Sequence, residues 1–583
     1  MIFDYETKVC NVLVIGAGGA GLSAAIEARG ERLSVIVCGK RSREDSHTVL
    51  AAGGVNASFA NVDEGDCWQQ HFADTYLEGY GIGEPEIIEI MAKEAPQCVT
   101  EADLWGANFA KLSNGQIDQR FFGAHTFRRT CYSGDYTGRS ILRTLINKAN
   151  SLEIPILDSE YIAGLLVDDK TCFGAVSFNI NTGLKTVLLA DSVVIATGGH
   201  TRIWKKSSSR KNENTGDGLH LGLQAGCQLI DMEMVQFHPT GMLTPEEYAG
   251  TLVTEAVRGE GGQLFNSNGE RFMKKYDPER MELSTRDRVA LANYTEIMEG
   301  RSTPNGGVYL DISHRDKDFI LKKIPSIYRQ FIDLQMLDIS KKPMEVAPTA
   351  HYSMGGLFVS PLEHSTCVKG LYAAGEVAGG LHGANRLGGN SLAEILVFGK
   401  RAGRAAAQRS HSIENYSRSK TVIDFELSKI DGMVQNGEEI PRQIEHELTE
   451  IMWKHCGVIR DEKSLNEGMH KLSELKSRMK NIDIRVDANS IGDLVTGFNL
   501  KASICAAEAT LISATERRES RGSHQRKDFP EVSSEQSVNY MISMNQKGEL
   551  SVASKHLSHL SDELRQIISA TKKIDDFTGK LLE

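Results

Sequence analysis

Arg386 stands in residues 374–394, AGEVAGGLHGANRLGGNSLAE, among glycines 375, 379, 380, 383, 388 and 389. Glycine lets backbone approach a ligand closely, and a planar two-donor cation in such a loop suits a carboxylate. A short apolar run, residues 370–374, leads in and reads as a buried strand. An Ala- and Leu-rich helix leads out; Asn390 and Ser391 are expected to cap it, leaving free N–H groups and a positive end for an anion. Other groupings also have chemical potential. Glu255 and Arg258, in LVTEAVRGEGG, share a face if helical, and spacing alone makes them a surface ion pair. Arginine is a poor base in water, with a pKa above ~12, so Arg286, in STRDRV, handles a proton only beside a carboxylate in a dry site. His238 precedes Pro239, which holds it extended or in a turn, and His351 sits in the small-residue segment APTAHYSMGG.

Such side chains need a frame. Residues 12–21, VLVIGAGGAG, supply a buried strand and Gly16-x-Gly18-x-x-Gly21, with a helical run over 22–28 behind them. Strand, tight turn and helix in that order suit a dinucleotide pyrophosphate. The second strand, residues 33–37, ends in Cys38-Gly39-Lys40, without the ribose-binding Asp or Glu of a plain NAD site. FAD fits instead if Glu376 holds a ribose. DSVVIATGG, residues 191–199, is another strand with a Gly-Gly exit, as in a nucleotide domain interrupted by insertions. NTGDG, residues 214–218, offers Asp217 as a flavin contact, although alone it is an ordinary turn and helix cap. His47, in SHTVLAAGG, is by itself a surface or hydrogen-bonding residue.

GAGGAGLSAA, SHTVLAAGG, ATGG, NTGDG, QFHPTG, TEAVRGEGG, STRDRV, HYSMGG, GEVAGGLHGANRLGGNSLAE and RRESRGSH run from Gly16 to His524. With them the chain resembles the flavoprotein subunit of the succinate dehydrogenase/fumarate reductase family, within the FAD-dependent oxidoreductase 2 group; L-aspartate oxidase is the close relative. The resemblance implies FAD attached covalently through His47, a bond that raises flavin potential and so suits oxidation of a saturated C–C bond. It implies Gly16, Gly18, Gly21, Lys40, Ser46, Thr48, Gly53, Gly54, Thr197, Gly198, Asp217, Glu376, Asn390, Ser391 and Leu392 around that cofactor. It makes His238 and Thr254 ligands of one substrate carboxylate, and His351 and Arg386 ligands of the other. It makes Arg286 the proton-handling residue, with Glu255 and Arg258 as its relay, and leaves Asp287 and Arg288 as solvated or structural neighbours. Aspartate oxidases lack a histidine at His47 and carry a glutamate where this chain has Phe122, in RFFGAHTFRR. Phe122 offers no counter-charge for an ammonium, so succinate or fumarate is the expected substrate, with aspartate oxidation as the alternative. Retention of all these residues speaks against a non-catalytic scaffold.

The expected architecture is α/β: a Rossmann-like FAD-binding domain (1–245 and 346–411) with an inserted α+β capping domain (246–345). A helical domain (412–528) and a small C-terminal hairpin and helix (529–583) follow. Residues 440–455, 462–479 and 502–516 carry helical apolar spacing. A hairpin over 538–552, turning at 545–548, precedes an amphipathic helix near 562–570 that departs from the usual family ending. KKSSSRK, residues 205–211, reads as a solvated basic loop, more charged than in the family. A net charge of −11 argues against nucleic acid as partner. The ten cysteines form no CxxC pair, so no metal or iron–sulfur ligand set is expected, and they read as reduced, mostly packed thiols. No apolar run of ~18 residues and no export signal is present. The resemblance therefore implies a cytoplasmic protein, peripheral to the inner face of a membrane through its partners: an iron–sulfur subunit, with a quinone beyond it.

Overall fold

The computed structural model describes residues 5–413, 418–486 and 491–570. The outer ends of the first and last expected domains, and residues 414–417 and 487–490 of the expected helical domain, lie outside that range.

The centre is a seven-stranded sheet in the order Ile156–Asp158, Val35–Gly39, Tyr5–Ile15, Lys185–Ile195, Thr171–Asn179, Glu160–Asp168, with Leu371–Ala373 also pairing Lys185–Ile195. The strands that meet at the glycine turn are parallel: Ile15 lies opposite Cys38 on one side and Ile195 on the other. Their carboxyl ends open together on one crevice, where α/β sheets bind ligands. Val12, Val14, Val35 and Val37 are buried, as strands covered on both faces require. The first helix, Gly19–Gly30, runs beyond the expected 22–28 because helix Asn390–Ser412 packs along it. A Cβ on Gly403 would lie 2.2 Å from the Ala24 carbonyl oxygen, so only glycine allows this approach.

A second sheet joins Val235–Met242, Met344–Ser353, Val308–Asp311 and Gln263–Phe265, all antiparallel. The inserted segment thus extends two strands of the flavin-side body and shares its own core with Met242, Met344 and Val346. A third sheet adds the hairpin Val538–Met544 and Leu550–His556 to Leu229–Ile230 and Gly356–Leu357. That hairpin is longer than expected and sits on the strand leading to His238. Helix Asp562–Ala570 buries Leu564 and Ile568 in the cluster that holds Phe72 and Leu77, so it docks on its own chain.

Helices Lys420–Asp431, Pro441–His455, Glu462–Arg478 and Gly492–Glu516 make the helical region. The last begins ten residues before the expected 502–516. Most of its residues are buried, polar Asn499 and Ser503 among them, so its first turns carry no clean apolar stripe. Helices Trp68–Glu78 and Pro85–Leu104 also lie outside the sequence expectations. Among the described residues no helix is long and apolar enough to cross a membrane, and no cluster of His, Cys, Asp and Glu is arranged for a metal ion.

Candidate active site

The crevice deepens into a cavity of about 1310 Å³ running between the large sheet and the inserted segment. At its sheet end, Gly16 and Gly18 line it, while Gly21 packs inward: a Cβ there would meet the Gly16 carbonyl oxygen at 1.8 Å. Gly19 N–H donates to Thr48 Oγ1 at 3.1 Å, tying the helix N-terminus to the loop that carries His47. Lys40, Ser46, His47, Thr48, Gly53, Gly54, Thr197, Gly198, Asp217, Glu376, Ser391 and Leu392 all line the same cavity. Lys40 pairs with Asp217 and donates to Thr215 Oγ1 at 3.0 Å. Glu376 accepts from Ser353 N–H at 3.0 Å and Asn214 Nδ2 at 3.3 Å; burial raises its pKa.

Toward the inserted segment the wall becomes cationic. Arg286 opens helix Arg286–Met298, and its Nε donates to Glu255 Oε2 at 2.8 Å. Burial opposes ionisation of Glu255, but Arg286 and Arg258 outweigh it and hold the carboxyl below its usual range. Arg258 is wholly buried behind this pair, 3.9 Å from Glu255 Oε2, an ion-pair rather than hydrogen-bond distance. Arg258 Nη1 donates to the Glu282 carbonyl at 2.6 Å, and burial lowers its pKa. Spacing alone made this a surface pair; the structure makes it a buried one.

Arg386 crosses from the glycine-rich loop. Its guanidinium lies 4.4 Å above the Tyr352 ring, donates to Gln236 Oε1 at 2.9 Å and to Ser391 Oγ at 3.3 Å. Burial, then the like charge of Arg286, depress its pKa to about 9. His238 and His351 meet edge to face with ring centroids 5.3 Å apart. Burial, with Arg286 next for His238 and with His238 next for His351, holds both pKa values well below 6.5, so both rings are neutral. Nδ1 of His238 meets the Thr240 N–H at 3.2 Å, and Nδ1 of His351 meets Ser208 Oγ at 3.0 Å. Thr254 lines the cavity too, and the buried Phe122 ring closes its wall against Gly53 and Gly388.

Three expectations change. Asn390 and Ser391 do not cap their helix: Gly389, with φ 89°, precedes it, and no side-chain oxygen caps it. Asn390 is buried outside the cavity wall, where its Oδ1 faces His71 Nε2 and accepts from Asn56 Nδ2, because that corner is sealed by other polar groups. Residues 205–211 are solvated only in part: Lys205 and Lys211 are exposed, but the serines between them are not. Ser207, Ser208 and Ser209 are buried on the cavity wall, where Ser207 makes a single parallel bridge to Ala350. Asp287 stays within its expectation as a structural neighbour: it is buried and accepts from Tyr80 and Asn385. Sequence reasoning passed over Gln236. Its Oε1 accepts from both Arg386 and Arg286, the latter at 3.3 Å, and its Nε2 donates to Asn385 Oδ1 at 2.8 Å. The signal was its place two residues before His238 on one strand.

A glycine-turn cradle continuous with a capped, cation-lined cavity defines a flavin-type oxidoreductase class. Residues 11–392 match the family described as FAD binding domain, and residues 445–566 the family described as Fumarate reductase flavoprotein C-term. A fumarate reductase (CoM/CoB) subunit of Methanothermobacter marburgensis is 44% identical, over 91% of this chain and 96% of that one. The succinate dehydrogenase flavoprotein subunit of Rickettsia conorii is 35% identical, over 96% and 97%. A solved E. coli quinol fumarate reductase superposes with a TM-score of 0.90 at 33% identity, covering 95% of this chain and 98% of that one. The chain belongs to the succinate dehydrogenase/fumarate reductase flavoprotein subunit family, and it is an oxidoreductase acting on succinate and fumarate. The residues present fit FAD on the structure's own terms. Ser46 Oγ and Thr197 Oγ1 are buried at the cavity without a hydrogen-bond partner among the described residues, and the cavity floor at Gly16, Gly18 and Gly19 is bare backbone that a pyrophosphate can approach.

Proposed function

We propose that this chain interconverts succinate and fumarate on FAD attached through His47, passing electrons to an iron–sulfur subunit. The observation that carries the reading is the joined pair of cations on the cavity wall: Arg286 and the buried Arg386 share Gln236 Oε1, and Arg286 also leans on Glu255. Bound FAD supplies the two-electron hydride acceptor and donor. His238 and Thr254 hold one carboxylate of the substrate; His351 and Arg386 hold the other. Such a grip fixes the reacting carbons and polarises the alkene. Arg286 holds the second proton at its guanidinium, where the adjacent Glu255 carboxylate and then Arg258 replace it. Closure of the inserted segment excludes water from these charges. Phe122 gives an amine no counter-charge, so aspartate is refused.

The iron–sulfur subunit, with attachment to the inner face of a membrane through it and its own partners, belongs to the same proposal. One observation favours a second reading of the electron partner. The relative at 44% identity is named for CoM/CoB, whereas the E. coli structure is named for a quinol. The CoM/CoB pair is therefore proposed beside a quinone as the source of electrons. Purified complex assayed with fumarate and either CoM plus CoB or a reduced quinone separates the two.

The central test uses purified protein with artificial electron carriers. Succinate oxidation and fumarate reduction are expected, aspartate turnover is not, and Arg286→Lys should lower turnover at least ~10³-fold while flavin stays bound. Aspartate oxidation without succinate oxidation, or normal turnover in Arg286→Lys, overturns the reading.

A further inference from the structure

The segment from Lys205 to Glu213 touches two of the cavity histidines. Ser208 Oγ lies 3.0 Å from His351 Nδ1, and Glu213 Oε2 lies 3.2 Å from His47 Nδ1. Neither contact is loose. The segment is stitched to strand Met344–Ser353 by Ser208 N–H to the Ala350 carbonyl and Ala350 N–H to the Lys206 carbonyl, both 2.9 Å. Glu213, only 5% exposed, is gripped by Arg210 through Nε at 3.1 Å and the backbone N–H at 2.9 Å. Arg210 in turn pairs with Asp45, two residues before His47.

The two contacts fit opposite tautomers. A carboxylate only accepts, so Glu213 keeps a proton on His47 Nδ1; in the neutral ring, the Nε2 lone pair is then bare, as bond formation through that nitrogen requires. With the Ser208 hydroxyl as donor to His351 Nδ1, the proton is left on His351 Nε2, as donation to a carboxylate requires. Neither Nε2 has a hydrogen-bond partner among the described residues, and both rings line the cavity.

We propose that residues 205–213 are the positioning element for these two histidines, with Ser208 setting His351 as a hydrogen-bond donor to substrate and Glu213 setting His47 with its Nε2 free for the cofactor. The Glu213 half rests on the covalent reading given above; the Ser208 half does not. The Nε2 lone pair is bare only while the His47 ring is neutral. Burial disfavours the imidazolium, but Glu213, and behind it Glu376, outweigh burial and the opposing Arg210, and raise the His47 pKa above 6.5. Ser208 and Glu213 are positioning residues, since each acts through a histidine.

The test has two arms on the full-length protein. Ser208→Ala should raise KM for succinate and fumarate about tenfold with a smaller change in kcat, the loss of one oriented hydrogen bond, and Ser208→Thr should restore KM. An unchanged KM in Ser208→Ala, or no rescue by threonine, overturns that half. For Glu213, the readout is the fraction of flavin that stays with acid-precipitated polypeptide. Glu213→Gln should lower it at least fivefold and Glu213→Asp should recover part; an unchanged fraction in Glu213→Gln overturns the half. If acid frees all flavin from the unsubstituted protein, the covalent reading fails, and the imidazole itself is read. Diethyl pyrocarbonate modification, with His47→Asn as the reference, should then titrate above pH 6.5, and a midpoint at or below 6.5 overturns the Glu213 role without any Glu213 variant.

Discussion

Gln236 shows how much a single uncharged side chain can carry. Two guanidiniums that repel one another are joined through its one oxygen, and its amide is fixed by Asn385 and the Arg386 carbonyl. Replacing it with leucine removes the shared acceptor and leaves both cations facing each other in a dry pocket. Gln236→Leu should cut kcat/KM about 100-fold, most of it in KM because Arg386 loses its aim; steady-state kinetics with an artificial electron acceptor measures it. Tyr352 supports the same arginine from below. Its hydroxyl donates to the buried Glu394, which also contacts His382 Nε2 at 3.1 Å. The ring face offsets part of the desolvation of Arg386. Tyr352→Leu should therefore weaken substrate binding more than Tyr352→Phe, which keeps the ring.

At the scale of elements, the flavin-side body depends on two helices crossing at glycine contacts. Gly399 and Gly403 let Asn390–Ser412 touch the backbone of Gly19–Gly30 at Ala20 and Ala24. Gly403→Val forces the pair apart at a cost of about 3 kcal/mol. Because both helices begin at the cavity, the variant should lose flavin on gel filtration as well as melt earlier. The C-terminal helix gives the contrasting case. Leu564 and Ile568 anchor it on Trp68–Glu78, away from the cavity wall. Leu564→Asp should lower the thermal midpoint while KM for succinate stays the same.

Across the whole molecule, many histidines are buried without charge. Burial holds His71 and His200 at about 3 and His220 and His364 at about 4, and holds His125, His238, His351 and His524 well below 6.5. In the unfolded chain these rings take up protons near pH 6.5, so the unfolded state binds more protons below that pH. The stability they contribute is complete above about pH 6.5 and is lost as pH falls, at ~1.4 kcal/mol per ring per pH unit. Thermal midpoints recorded between pH 8 and pH 5 should be level at the alkaline end and drop steeply below pH 6.5. A midpoint that rises on acidification would contradict this.

The sequence by itself determined the α/β class, the glycine turn after the first strand, the family and the oxidoreductase activity. Those rest on local necessities: a glycine where a Cβ would strike backbone, a parallel strand buried on both faces, a run of motifs in fixed order. It did not determine which side chains share a wall. Arg258 and Glu255 look like a surface pair at three-residue spacing, and nothing in KKSSSRK marks its serines as cavity wall, because spacing is blind to what packs over a segment. The extensive burial of helix Gly492–Glu516, polar residues included, erased the stripe that marks a helix start. Gln236 between two arginines, and one loop reaching two histidines 143 and 166 residues distant from their partners, exist only once the chain has closed. Those contacts are long-range, and their strength comes from burial, which no local stretch of sequence carries.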